Sequence, residues 1–378
     1  MKEKMLIVII LFFGMSVVPW AEGHELESQL SSVEKPVSIG NNGDTYYVGG
    51  DGPDNYSKIQ DAIDNASDGD TVFVYNGTYV ENLVIGTLIE SKKIDLIGED
   101  REITIIEGKS GGDPVIEINS IDVEINGFTV RGNISGQDGI FVDELRSDVI
   151  INNNKIINCA YGIWLKVTSE RNTITDNIIS DNDFAGIRLQ ESDRNVIADN
   201  TIEDNGDWGI SLESLSKQNN ISSNEVIGNN GGIKLTGNSA QNDIIANNIM
   251  DNVLEGILIE QLSNSATVMG NNITNNFGGI KCTSSNQNTI TNNNIQDNNM
   301  EGLLYVTSKD SIITNNNFIG NRRQAAFRLS SRNDLDENYW DNWIGFKLEM
   351  PIFQKFPKFI CGFPPTFDWH PALEPYEI

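Results

Sequence analysis

The sequence predicts an all-β protein, a right-handed parallel β-helix: a solenoid of 23–24-residue coils with an N-terminal helical cap and an aromatic C-terminal cap. Three observations carry this prediction. First, Gly followed by an apolar residue, with another apolar residue two further on, recurs at Gly139, Gly162, Gly186, Gly209, Gly232, Gly256, Gly279 and Gly302, in steps of 23 or 24. A degenerate ninth copy is placed at Ala326. Second, every copy carries an apolar residue, then Asn three later, then an apolar residue two after that. The Asn column is Asn154, Asn177, Asn200, Asn224, Asn247, Asn271, Asn293, Asn316 and Asn338. Third, the apolar residues alternate with a period of two, as in Gly186-Ile187-Arg188-Leu189, which is the period of a strand.

A unit this short, with about three short strands separated by Asn, Asp, Ser and Gly, cannot bury its own apolar side. Stacked on its neighbours it buries a continuous core. Equivalent residues then lie one strand spacing apart, roughly 4.8 Å. The Asn column becomes a ladder whose amides bond along the stack and to turn backbone, satisfying buried polar groups. Leucine-rich repeats share the period but need a longer leucine pattern, and propeller blades need about 40 residues.

Taken in order, residues 1–23 read as a signal peptide. A basic start is followed by an apolar run over 5–18, and Ala21 and Gly23 supply small residues at the cleavage site. Residues 24–43 read as a flexible leader. Residues 44–135 hold the N-terminal cap and the first irregular coils. Within them Ile59, Ala62, Ile63 and Ala66 predict an amphipathic helix over 57–66 that closes the open end of the core. Thr71–Tyr75, Ile94–Gly98, Val115–Ile118 and Val123–Phe128 read as early strands. Residues 136–343 are the regular repeats, and 344–378, rich in Phe and Pro, the aromatic cap.

Composition excludes several functions. The chain has 54 acidic and 26 basic residues, a net charge of −28, so a nucleic acid partner is not expected. Three cysteines make no disulfide framework, and with His24 and His370 near opposite ends no mid-chain histidine mechanism is available. Beyond the signal segment no apolar run is long enough to span a membrane.

The outward positions of the Gly-apolar strand are candidates for ligand contact. The first column reads Phe141, Trp164, Arg188, Ser211, Lys234, Leu258, Lys281, Leu304 and Arg328, and the next runs from Asp143 through Lys166, Gln190 and Glu213 to Ser330. Trp164 suits stacking on a sugar ring, and Arg188, Lys234 and Lys281 suit uronate carboxylates. The same pattern also fits an ordinary solvated face of alternating charge. Candidate catalytic residues are Arg188, Glu213 and Lys234, with the stacked carboxylates Asp176 and Asp199. Two carboxylates one coil apart suit a glycosidase pair or a Ca²⁺ ion, and equally suit turn chemistry. Asp181, Asp204, Asp251 and Asp297, each followed by Asn, sit where each coil must bend. Copper needs soft or imidazole ligands, and His370, Cys361 and Met350 in the tail have no ligand spacing.

The run Ile59-Gln60-Asp61-Ala62-Ile63, then Asp68-Gly69-Asp70-Thr71-Val72-Phe73-Val74 and Gly77-Thr78-Tyr79, resembles the opening of the NosD-like β-helix family, also called the carbohydrate-binding and sugar-hydrolase (CASH) family. So do Ile94-Asp95-Leu96-Ile97-Gly98 and Asn126-Gly127-Phe128-Thr129-Val130. Asn338-Tyr339-Trp340-Asp341 resembles the family's last coil, and Phe367-Asp368-Trp369-His370-Pro371-Ala372 the tail of secreted archaeal members. The resemblance covers roughly residues 44–378. It implies the β-helix fold and a secreted or cell-surface location. It leaves activity open, because the family spans carbohydrate-active enzymes, a nitrous oxide reductase accessory protein and surface proteins. Three readings fit the residues: binding of extended polysaccharide without turnover, a polysaccharide lyase or glycoside hydrolase on the outward face, or a structural adhesion protein.

Overall fold

The structure, a computed structural model, describes residues 43–87, 90–133, 136–343 and 357–378. The signal peptide, almost all of the leader and residues 344–356 lie outside the described residues. Three sheets of 13, 13 and 12 strands run the length of the solenoid, parallel throughout except for the terminal strand Thr366–Asp368. A coil contributes one strand to each. Ile163–Leu165 lies in the sheet called C here, Thr173–Thr175 in sheet A and Ile178–Ser180 in sheet B. The chain then returns to C at Ile187–Gln190.

Stacking places like on like. Ile140, Ile163, Ile187, Ile210, Ile233, Ile257 and Ile280 pair in register through sheet C and are all buried. Ile151, Ile174, Ile197, Ile221 and Ile244 do the same in sheet A. Each such side chain contributes about 1.5–3 kcal/mol by leaving water. The strand glycines have a steric role. A Cβ on Gly232 would sit 2.2 Å from the Gly256 carbonyl oxygen and 2.7 Å from a methyl of Ile249.

At the corner between sheets A and B a residue in the left-handed region precedes each ladder Asn: Asp176, Asp199, Ser223 and Asn292 have φ of 55°, 56°, 56° and 54°. That conformation turns the chain so that the next side chain points inward. Asn224 is representative. Its Oδ1 accepts from Asn200 N (3.1 Å) and Asn200 Nδ2 (3.0 Å). Its Nδ2 donates to Ile197 O (2.9 Å), Ser222 O (3.1 Å) and Asn247 Oδ1 (3.0 Å).

The structure adds two further Asn ladders and a serine ladder to the column expected. Asn182, Asn205, Asn229, Asn252, Asn276, Asn298 and Asn321 line the B–C corner. Asn172, Asn195, Asn219 and Asn242 form another on the way into sheet A. Ser192, Ser216, Ser239 and Ser263 connect hydroxyl to backbone N–H beside it. These Asn columns stand five residues after and five before the first, a spacing visible in the sequence once the first is known.

The last coil corrects the expected register. Leu304 pairs with Ala326 and Val306 with Arg328, so Gln324, not Ala326, takes the glycine place and the final step is 22 residues. Arg328 therefore belongs to the second outward column, Ala326 stands in the first, and Ser330 is buried in the serine ladder. A slip of two residues preserves the in–out alternation, so apolar pattern alone cannot detect it.

Helix α1 (Ile59–Asn65) covers the N-terminal end with Ile59, Ala62 and Ile63 buried. Glu81, itself nearly buried, accepts from Ile59 N (2.9 Å) and Gln60 N (3.2 Å), satisfying two orphan donors of the first turn. At the far end the strands Lys358–Phe363 and Thr366–Asp368 form an antiparallel hairpin, the first strand pairing parallel with Arg323–Arg328. Asp368 ends the main ladder. Its Oδ2 accepts from Asn338 N (3.1 Å), Asn338 Nδ2 (3.2 Å) and Trp340 Nε1 (2.9 Å).

Candidate functional site

The outer face of sheet C gathers Trp164, Arg188, Glu213, Lys234 and Lys281. Trp164 pairs in register with Arg188, Arg188 with Ser211, and Ser211 with Lys234. The Arg188 guanidinium lies 4.8 Å from the Trp164 ring centroid and 4.9 Å from that of Tyr161. It donates from Nε (3.2 Å) and Nη2 (2.9 Å) to Glu213 Oε2, while Ser211 Oγ donates to Glu213 Oε1 at 2.9 Å. Phe141 meets Trp164 edge-on at 5.3 Å, and Phe184 lies 5.2 Å from Tyr161 with its ring half-exposed. The result is an aromatic shelf with one fixed cation above it.

Tyr161 belongs to an outward column that sequence reasoning missed. It occupies the position just before each repeat glycine and includes Asp138, Trp208, Glu255, Glu301 and Arg323. Two residues, the glycine and the next apolar residue, face inward between this column and the next, which breaks strict alternation. Trp208 sits under Lys234, whose Nζ is 5.9 Å from the ring centroid. Burial pushes the Asp138 carboxyl above its ordinary pKa, although Tyr161 N donates to it at 3.3 Å and Arg188 pulls the other way. Burial likewise raises the Tyr161 phenol, against the pull of Arg188.

The other catalytic candidates lie elsewhere. Asp176 and Asp199 occupy the A–B corner, on a different side of the coil from the Arg188–Glu213 pair, where their backbones make the left-handed turn. Asp181, Asp204, Asp251 and Asp297 do the same at the B–C corner, with φ from 52° to 57°.

The family descriptions match the central and C-terminal coils. A model described as right-handed beta helix region matches residues 115–268, and one described as periplasmic copper-binding protein (NosD) matches residues 216–344. The two matches overlap and support a NosD-like right-handed β-helix family for these coils. Comparison with curated proteins finds no match. Among solved structures, the A-module of the mannuronan C-5 epimerase AlgE6 of Azotobacter vinelandii is similar at TM-score 0.66 and 19% identity, over 74% of this chain and 88% of that one. The AlgE4 A-module of the same organism follows at TM-score 0.58 and 19% identity, over 73% and 90%. The Dettilon tailspike protein is similar at TM-score 0.51 and 15% identity, over 74% of this chain and 68% of that one. At these identities the likeness is one of fold.

The described residues do not fit a copper centre. Among the described residues no group of three or more His, Cys, Asp or Glu is placed to hold a metal. The His370 Nδ1 lies 2.7 Å from Asp336 Oδ1. Cys159 and Cys282 are buried, and burial pushes both thiols up to about 12, far from the thiolate that copper needs. Cys361 is exposed, on the hairpin strand beside Ala326, and Met350 lies outside the described residues.

Proposed function

We propose that this NosD-like protein works outside the cytoplasm and binds an extended polysaccharide along the outer face of sheet C, without turning it over. The observation that carries the reading is the Tyr161–Trp164–Arg188–Glu213 cluster. Aromatic faces take up the apolar face of a sugar ring, and a guanidinium supplies paired N–H donors to its hydroxyl or carboxylate oxygens. Arg188 is held by Glu213 and both rings, so little side-chain freedom is lost on binding. Glu213 is engaged by Arg188 and Ser211, which suits it to positioning the cation rather than accepting a proton. The parallel stack repeats binding positions along one line, as an extended polymer requires. The signal-like segment over residues 1–23 and the periplasmic description of the matching family support the location.

The test is to expose the purified chain to acidic and neutral polysaccharides with and without Ca²⁺, reading bound fraction, reducing ends and unsaturated-uronate absorbance together. Binding without product is the expected result. Reproducible cleavage overturns it and favours a second reading, a lyase or hydrolase on the same face. One observation favours that alternative: Asp138, its carboxyl raised by burial, stands beside Tyr161 and Arg188 as a proton donor would. Asp138→Asn then abolishes turnover.

A further inference from the structure

A second cluster occupies the other end of the sheet C face. Glu301, with a side chain only 9% exposed, accepts on one oxygen from both Arg323 Nη1 (2.9 Å) and Arg328 Nη2 (3.2 Å). Two coils earlier, Glu255 accepts at 2.8 Å from Nζ of Lys281, which stands on the strand between them. Arg322 lines the same depression as Arg323, Arg328 and Glu301, its Nη1 3.4 Å from the Met300 sulfur. Four cations thus surround two carboxylates, a local excess of two positive charges (4 − 2) on a chain whose net charge is −28.

That excess is unlike an ordinary salt-bridged surface. Each guanidinium carries five N–H donors, and Arg323 and Arg328 each direct one of them to Glu301. Their side chains remain 50% and 58% exposed. The buried carboxylate therefore pins two guanidiniums to one point while leaving them open to solvent. In register with Arg328, Phe363 of the hairpin is 75% exposed and offers a ring face next to the charges. On an acidic protein that repels anions generally, such a patch concentrates them at one place.

We propose that Arg322, Arg323 and Arg328 form an anion clamp that seats the carboxylate or sulfate groups of an acidic polysaccharide. The clamp rests on the polysaccharide-binding reading and gives it a chemical class. Lys281 continues the clamp toward Lys234 along the first outward column, and the shelf at Trp164 holds the ring faces of the same polymer.

The test is calorimetric titration of the full chain with a polyuronate, a sulfated glucan and a neutral glucan, at low and moderate salt. Wild type binds at least one acidic polymer, more weakly as salt rises, and whether the polyuronate or the sulfated glucan wins identifies the anion. R323Q/R328Q weakens acidic binding at least tenfold and leaves neutral binding unchanged. Because that change strips Glu301 of its partners, R322Q is the fold-neutral companion. It removes one cation without orphaning a carboxylate, and weakens acidic binding severalfold with a shallower salt dependence. Unchanged acidic affinity in R322Q and in a folded R323Q/R328Q overturns the clamp while sparing the binding reading. Binding of the neutral glucan alone has the same meaning. No binding of any polymer overturns both.

Discussion

Asn224→Ala tests the physical account of the stack most directly. The side chain is fully buried and takes part in five hydrogen bonds. Several partners survive its loss. Asn200 Nδ2 retains Ile174 O and Ala198 O, Asn247 Oδ1 retains the backbone N–H of residue 224, and Ser222 O retains Asp199 N. Asn200 N loses its acceptor, and Ile197 O loses one donor. An orphaned buried backbone group costs about 1–3 kcal/mol, and the space left by the amide adds to it. The expected destabilisation is about 3–5 kcal/mol. Coils interact mainly with their neighbours, so the loss centres on the coils holding Asn200 and Asn247. Urea unfolding followed by circular dichroism gives the total, and hydrogen exchange gives its location. Asn299→Ala, at an exposed position, is the control and changes stability by less than about 0.5 kcal/mol. A loss below about 1 kcal/mol in Asn224→Ala, or exchange that rises uniformly along the solenoid, refutes the ladder as a local structural support.

Three further outcomes are expected. Arg188→Ala removes the cation over Tyr161 and Trp164 and weakens polysaccharide binding about tenfold or more in a titration, with the melting temperature little changed because both ion-pair partners are partly solvated. Asp368 has its carboxyl raised by burial, ahead of the lowering from Trp340 and Asn338, so its folded pKa exceeds its unfolded one. Its contribution is then fully present below about pH 4 and lost as pH rises through the folded value, so Asp368→Asn flattens the thermal midpoint against pH above about 4. Gly232→Ala forces a Cβ against the Gly256 carbonyl and lowers the thermal midpoint sharply, whereas Gly112→Ala, with open space around the position, costs only the strain of its positive φ.

Much of the fold was legible because a solenoid converts sequence period into spatial stacking. The repeat glycines, the apolar columns and the first Asn ladder are all read from the spacing alone, since any residue repeated every coil must stack on itself. The helix over Ile59–Asn65 was equally plain, its apolar residues keeping helical spacing. The last coil was not. A two-residue slip leaves every inward side chain inward, and only the actual pairing of Val306 with Arg328 decides it. Likewise Trp164, Arg188, Glu213 and Lys234 were visible as outward residues, while Tyr161 was hidden by the glycine corner that breaks alternation.

The sequence by itself determined the coil length of the regular repeats and the inward columns, because burial leaves one face no choice. Tertiary structure decided what the outward residues do. Arg188 joins Glu213, 25 residues on, and lies over Tyr161, 27 residues back, and nothing but the pairing of neighbouring coils brings them together. Asp368 closes a ladder that begins more than two hundred residues earlier at Asn154, because the hairpin returns onto the last coil. Inward positions are constrained by water exclusion at every coil, whereas outward ones are constrained by side chains that only register and rotamer place side by side.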